Sequence, residues 1–150
     1  MIMKKYIFLI VGLVSLMQAQ EYKSVFDCSS DNARFVMSRM NLIERTMGMI
    51  EQNGDKADFA ITLHGGCVPM VSNVYDEIVP DEDMPYIKMA QETITRLAQK
   101  KKVKIIVCAM SLNANAIDEK EILPFIQISK NSFIDTIGLQ NKGYALMTFK

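Results

Sequence analysis

The strongest constraint on the fold of this chain is a nearly continuous apolar run, ADFAITL, at residues 57–63. An apolar run without polar alternation is typical of a central parallel strand that is covered on both faces. A second short apolar run, at residues 103–109, carries Cys108 near its end and passes into a polar loop. Strands that alternate with helices indicate a parallel sheet whose connections are right-handed crossovers.

The segments around these two runs carry helical and strand patterns in turn. Apolar residues recur at spacings of three and four in residues 32–52 and in the segment that begins at Pro85, which predicts two long helices. The other predicted elements are strands at 22–28, 123–128 and 144–149, a helix at 132–141, a loop at 68–85 with at most a short helix at 70–77, and a loop or helical turn at 113–121. In the helix near the end of the chain we expect Phe133, Ile134 and Ile137 to face inward. The predicted fold class is α/β, a three-layer α/β/α arrangement with a mostly parallel five-stranded sheet and helices on both faces.

The start of the chain has the pattern of a secretory signal peptide. Residues 1–5 form a basic segment, residues 6–17 are apolar, and the small Ala19 offers a cleavage point before Glu21. The apolar run is shorter than the roughly 18 residues that a spanning helix needs. Met17 is bulky at the third position before the cut, so a leader that stays uncleaved at the inner membrane is the alternative.

Cleavage would divide the chain into a signal peptide at residues 1–20 and a single domain at residues 21–150. We therefore expect a periplasmic protein with no stable membrane span after cleavage. The whole chain has 17 basic and 17 acidic residues, and the leader holds two of the basic ones, Lys4 and Lys5. The remaining balance is slightly negative, which argues against nucleic acid as a main partner.

Three cysteines follow the leader, and their placement suggests where chemistry could occur. Cys28 ends the first predicted strand, Cys67 follows the second, and Cys108 ends the third. Ligands of open parallel sheets bind beyond the carboxyl ends of the strands, where these residues are expected. An odd number of cysteines in an oxidising compartment means that at least one thiol stays free, pairs between subunits or binds something else.

Cys108 is the candidate catalytic residue, because a thiol at the end of a buried strand can be exposed and its thiolate stabilised. The candidate ligand-binding residues follow the second strand and are His64, Gly65, Gly66 and Cys67. Glycines after a strand let backbone amides approach a ligand such as an anion. Each of these residues also has a purely structural interpretation: a buried thiol, a histidine that hydrogen-bonds the turn, and glycines that supply positive φ.

No cofactor and no metal are predicted. The alternative is a soft tetrahedral site for zinc or copper(I). Its ligands would be Cys28, His64, Cys67 and Cys108.

Four segments together resemble the DsrE/DsrF-like family over residues 22–150. They are VFD at 25–27, ITLHGG at 61–66, KIIVCAMSL at 104–112 and LQNKGYAL at 139–146. The resemblance implies a doubly wound sheet and a homo- or hetero-oligomer, commonly a trimer or hexamer. It also implies that Cys108 occupies the position at which the family's active sulfur carriers hold a persulfide. Asn115 and Ala116 depart from the basic residue and glycine that many members carry there.

The predicted function is therefore that of a periplasmic protein that handles sulfane sulfur through a persulfide on Cys108, with a sulfur donor or acceptor protein as a partner. The alternative is a non-catalytic oligomeric binding module whose strand-edge crevice holds a small ligand or a soft metal. A purely structural role of Cys108 is the third possibility.

Overall fold

A computed structural model describes residues 19–149 of the chain, so the leader predicted at residues 1–20 lies almost wholly outside the described residues. The strands are β1 (Glu21–Cys28), β2 (Lys56–Leu63), β3 (Lys104–Cys108), β4 (Gln127–Ser129) and β5 (Ala145–Phe149). The α-helices are α1 (Ala33–Gln52), α2 (Met84–Lys101), α3 (Ala109–Ala114) and α4 (Ser132–Asn141). Three short 3-10 segments lie at Gly65–Val71, Tyr75–Glu77 and Glu119–Glu121.

The five strands form one sheet in the order β4-β3-β2-β1-β5, and every neighbouring pair is parallel. The apolar strand β2 lies at the centre, between β1 and β3, which explains why its sequence lacks polar alternation. The expected five-stranded α/β architecture is confirmed.

Helices cover both faces of this sheet. The larger core joins α1 and α2 to one face, and its members on β2 and β3 include Ile61, Leu63 and Val107. A smaller cluster on the opposite face joins β1, β2 and β3 to α4 and to the turn that follows it. It consists of Val25, Ala60, Ile106, Leu139 and Tyr144.

Helix α1 illustrates how the pattern in the sequence becomes packing. Its buried residues Val36, Met40 and Met47 recur at helical spacing on the face that meets the sheet. Each buried side chain of this size contributes about 1.5–3 kcal/mol relative to exposure. The Asn32 side chain accepts a hydrogen bond from the backbone N–H of Phe35 at 2.9 Å and so caps the start of the helix.

The chain after Cys108 differs from the predicted polar loop. Helix α3 begins at Ala109, so Cys108 occupies the N-cap position of a short helix. The fourth strand is also shorter than predicted. The chain makes a turn before it, closed by a hydrogen bond from the Ile126 N–H to the Leu123 carbonyl, and pairing with β3 begins only at Gln127. Pro124 lies within this turn and cannot donate to a ladder.

Helix α4 has the predicted bounds, but the prediction of its inward face was wrong. Phe133, Ile134 and Ile137 are 64%, 68% and 57% exposed, whereas Ser132 and Thr136 face the sheet. The sheet surface beneath this part of the helix carries polar side chains, which require polar neighbours when buried.

Cys28 and Cys67 form a disulfide with a Cα–Cα distance of 5.9 Å, and both residues are completely buried. The bond closes a loop with a sequence separation of 39 residues, for which chain entropy predicts a stabilisation of about 4 kcal/mol. Cys108 is the free thiol. One disulfide and one free thiol within a single chain thus account for the three cysteines.

Within residues 19–149, no helix has both the length and the apolar character required to cross a bilayer.

Ala116, which follows α3, has a positive φ of 55°. A left-handed conformation costs a residue with a Cβ atom about 1 kcal/mol or more, and glycine avoids this cost. We expect Ala116→Gly to raise the free energy of unfolding by about 0.5–1 kcal/mol, since the larger entropy of unfolded glycine offsets part of the gain. Urea denaturation measures the change.

The matched control is Ala98→Gly in the interior of α2, which should lower the free energy of unfolding by about 1 kcal/mol. A loss of stability in Ala116→Gly would contradict the explanation from backbone conformation.

Candidate functional site

The register of the sheet decides which candidate residues can meet. Cys28 pairs with Leu63, and Leu63 pairs with Val107. Paired residues of parallel strands point to the same face, and successive residues point to opposite faces. Cys108 follows Val107, so its side chain points to the α4 face, while Cys28 points to the face covered by α1 and α2.

The disulfide and the free thiol are therefore on opposite faces of the sheet. Cys67, predicted to bind a ligand, is bonded to Cys28 in the larger core and lies away from Cys108. The alternative four-ligand metal site is wrong, because two of its sulfur atoms are bonded to each other and the third faces the other way. Nowhere in residues 19–149 do three histidine, cysteine or acidic side chains converge as metal ligands.

Cys108 lies at the end of β3 with only 4% of its surface exposed. Burial raises the pKa of its thiol, but hydrogen bonding from the backbone and hydroxyl groups of Ser132 and Ser111 outweighs burial and lowers the pKa below the ordinary thiol value. Ser132 opens α4 and Ser111 lies in the first turn of α3, where backbone N–H groups have no partner within the helix. Two helix starts thus direct donors at one sulfur atom and favour its thiolate.

Ser111 is held in place by the loop that follows β2. The backbone N–H of Gly65 donates to Ser111 Oγ at 3.1 Å, which leaves the hydroxyl hydrogen free to point at Cys108. Asn115 Nδ2 donates to the Ser111 carbonyl at 2.8 Å. The sequence prediction included Gly65 but missed Ser111 and Ser132. Ser111 could have been found from its spacing of three residues after a strand-end cysteine.

The two glycines shape this loop. Gly65 has a φ of 52°, and a Cβ atom on Gly66 would lie 2.6 Å from backbone atoms of Asp31. Both backbone N–H groups already have partners in the protein, that of Gly65 in Ser111 and that of Gly66 in the Ser29 carbonyl at 3.2 Å. The structure thus gives these glycines a positioning role and leaves neither N–H free to bind the predicted anion.

His64 lies on the same face as Cys108 and has an acidic neighbour. Its Nε2 atom is 3.2 Å from both carboxylate oxygens of Asp27, and both side chains are 20% exposed. Thr62 Oγ1 donates to Asp27 Oδ1 at 2.8 Å. Asp27 was not a sequence candidate. Asp27 pairs with Thr62 on the neighbouring strand, which puts it on the same face as His64. This pairing is known only from the fold.

An apolar cavity of about 640 Å³ lies elsewhere, between α1 and the strands β1 and β5. Phe26, Phe35 and Met147 are among its lining residues, and none of the candidate residues reaches it. The polar side chains at the carboxyl edge of the sheet under α4 are thus separate from this cavity.

The sequence model of the DsrE/DsrF-like family matches residues 23–149. The chain belongs to the DsrE/DsrF-like family. A relative from Aquifex aeolicus (strain VF5), described as an uncharacterized protein, is 31% identical over 148 residues that make up 99% of this chain and 65% of the relative. The chain thus spans just under two thirds of that relative's length.

Among solved structures, the DsrE/DsrF-like fold is matched by MTH1491, a protein of unknown function from Methanobacterium thermoautotrophicum. The TM-score is 0.66 with 14% sequence identity, and the match covers 85% of this chain and 99% of the other. At this identity the similarity shows the fold alone. Membership of the DsrE/DsrF-like family supports a sulfur-relay type of function at the level of the family.

If Ser111 helps to stabilise the thiolate, Ser111→Ala should raise the pKa of Cys108, because one donor to the sulfur is lost while burial remains. Ser132→Ala should act in the same direction. The ultraviolet absorbance of the thiolate, followed against pH, measures this pKa. Ser38→Ala, on the exposed side of α1, is the matched control and should leave the titration unchanged.

The same shift links stability to pH. Because the pKa is lowered on folding, the contribution of the thiolate is complete above the unfolded value of about 9.0 and is lost as the pH falls through the folded value. Wild-type protein should therefore gain stability relative to Cys108→Ala as the pH rises toward 9.0. Equal pH dependence of the two proteins would contradict a lowered pKa.

Proposed function

We propose that Cys108 carries sulfane sulfur as a persulfide in an exported sulfur-relay protein. The observation that carries the proposal is a free thiol at the end of β3 whose thiolate is favoured by donors from two helices. Only the thiolate is an effective nucleophile toward a sulfur–sulfur bond. The position of Cys108 is also the one expected for a persulfide in the DsrE/DsrF-like family.

The chemistry requires no external oxidant. The Cys108 thiolate attacks the outer sulfur of a donor persulfide, R–S–SH, and a new sulfur–sulfur bond forms. The donor's own sulfur–sulfur bond breaks, and its electron pair leaves with the donor thiolate, which takes up a proton. Transfer to an acceptor thiol is the same exchange in reverse, with the acceptor attacking the outer sulfur of the Cys108 persulfide.

We propose a periplasmic location for this function. The leader pattern at residues 1–20 supports it, and so does the Cys28–Cys67 disulfide, because such bonds persist in oxidising compartments. In such a compartment Cys108 escapes pairing with either of the other cysteines, since they lie on the opposite face of the sheet. Cell fractionation of the full chain tests the location, and recovery in the cytoplasm would contradict it.

Intact-mass measurement after incubation with polysulfide tests the persulfide. Wild-type protein should gain the mass of one or more sulfur atoms and lose it on treatment with a reductant. Cys108→Ser is the essential control. It keeps the Cys28–Cys67 disulfide and lacks only the free thiol, so it should gain no sulfur. No added sulfur on wild-type protein, or equal addition to Cys108→Ser, would contradict the proposal and favour a non-catalytic binding module.

We also propose that the chain forms a homo-oligomer, a trimer or hexamer, through the outer face of α4. This face presents Phe133, Ile134 and Ile137, all more than half exposed, and large contiguous apolar surface is characteristic of interaction sites.

Light scattering should show an oligomer for wild-type protein and a smaller species for Ile134→Lys. Met49→Lys, 58% exposed on α1, is the control and should not change the mass. A monomeric wild-type protein would contradict the proposal.

A further inference from the structure

Sulfur exchange at Cys108 takes a proton from the thiol and returns one to the leaving thiolate, and one polar pair on the same face of the sheet can carry it. His64 Nε2 contacts the carboxylate of Asp27 at 3.2 Å. Thr62 Oγ1 fixes that carboxylate by donating to Oδ1, and it also lies 3.4 Å from Thr136 Oγ1 of α4. Asp27 is therefore anchored by the sheet and by α4, and it holds one nitrogen of the imidazole.

The register directs this imidazole to the same face of the sheet as the thiol. Leu63 and Val107 are the last pair of the β2–β3 ladder, and His64 and Cys108 are the residues that directly follow them. Adjacent strands are about 4.8 Å apart. The backbone of His64 is extended, with φ −149° and ψ 178°, so its side chain continues the alternation of β2 and points to the face of Thr62. Cys108 points to that same face.

Helix α4 provides an independent link between the two groups. The ring of Phe133 packs edge-on against the imidazole of His64 at a centroid distance of 6.0 Å. The preceding residue, Ser132, is among the groups that lower the pKa of Cys108. The first turn of α4 therefore lies at both side chains.

We propose that His64 is the proton carrier for Cys108 and that Asp27 is the positioning residue for His64. The inference rests on the proposed persulfide function of Cys108. With the Nε2 hydrogen donated to Asp27, Nδ1 keeps its lone pair and accepts the proton of the Cys108 thiol. The carboxylate fixes this tautomer and stabilises the imidazolium that forms.

The proton returns in the same exchange. The Cys108 thiolate attacks the outer sulfur of the donor R–S–SH, the donor's sulfur–sulfur bond breaks, and RS⁻ leaves with the electron pair. His64 then gives its proton to RS⁻. The products are the Cys108 persulfide and RSH, so atoms, charge and oxidation level balance.

Three variants test the assignment through the rate of sulfur transfer from a low-molecular-weight alkyl persulfide. His64→Gln should slow transfer about 100-fold, the lower range for loss of general acid–base catalysis. Asp27→Asn should slow it about tenfold, since the imidazole remains but loses its orienting charge. Asp58→Asn is the matched control, because Asp58 accepts a hydrogen bond from the Tyr144 hydroxyl near the start of β2, and its rate should equal that of wild type.

Chemical rescue separates proton transfer from a structural role. Added imidazole should restore most of the sulfur transfer lost in His64→Ala and should not accelerate wild-type protein. Equal transfer rates in wild type and His64→Gln, or a slow His64→Ala that imidazole does not restore, would overturn the assignment of His64 as proton carrier.

A second readout keeps the inference distinct from the persulfide proposal. Alkylation of Cys108 by iodoacetamide depends on the thiolate but not on sulfur transfer. The titratable groups on the elements that meet here are Cys108 on β3, Asp27 on β1 and Asp135 on α4, whose buried Oδ2 makes no hydrogen bond within residues 19–149.

At one fixed pH, wild type and Asp58→Asn should be alkylated at equal rates and His64→Gln more slowly. If wild type takes up no sulfur but is alkylated faster than His64→Gln, the persulfide proposal fails and the role of His64 toward Cys108 stands. If His64→Gln is alkylated at the wild-type rate, that role is refuted.

Discussion

The parallel register of β1, β2 and β3 is the constraint on which the chemistry of this protein depends. It aligns Cys28, Leu63 and Val107 on one face and leaves Cys108 on the other. A shift of one residue would exchange the faces, since side chains alternate along a strand. The register therefore keeps one cysteine as a thiol while the other two form a disulfide, even where conditions are oxidising.

The disulfide and the thiol site are nevertheless connected. The Cys28–Cys67 bond ties the 3-10 segment Gly65–Val71 to the end of β1, and the first residue of that segment donates to Ser111. Ser111 is in turn one of the two serines that lower the pKa of Cys108. A thiolate with so little exposed surface would be costly without such donors, because burial favours the neutral form. The loop after β2 thus serves the site through its backbone.

The orientation of α4 about its own axis explains two findings, one on each side of the helix. The helix turns Ser132 and Thr136 toward the sheet because Cys108, Thr62 and their polar neighbours lie beneath it. Its three large apolar residues consequently face outward. The polar site and the exposed apolar surface are therefore two sides of the same helix, and a protein that docks on the outer side would lie over Cys108.

Local patterns in the sequence were enough to predict the five strands, the three longer helices, the parallel sheet and the strand-end position of Cys108. These follow from local periodicity and from the apolar character of central strands. The pairing of the cysteines, the face that Cys108 occupies, and the positions of Ser111, Ser132 and Asp27 around the site came only from the folded chain. Those relations depend on register and on helix rotation, which are set by contacts between residues far apart in the chain and leave no signal in any single segment.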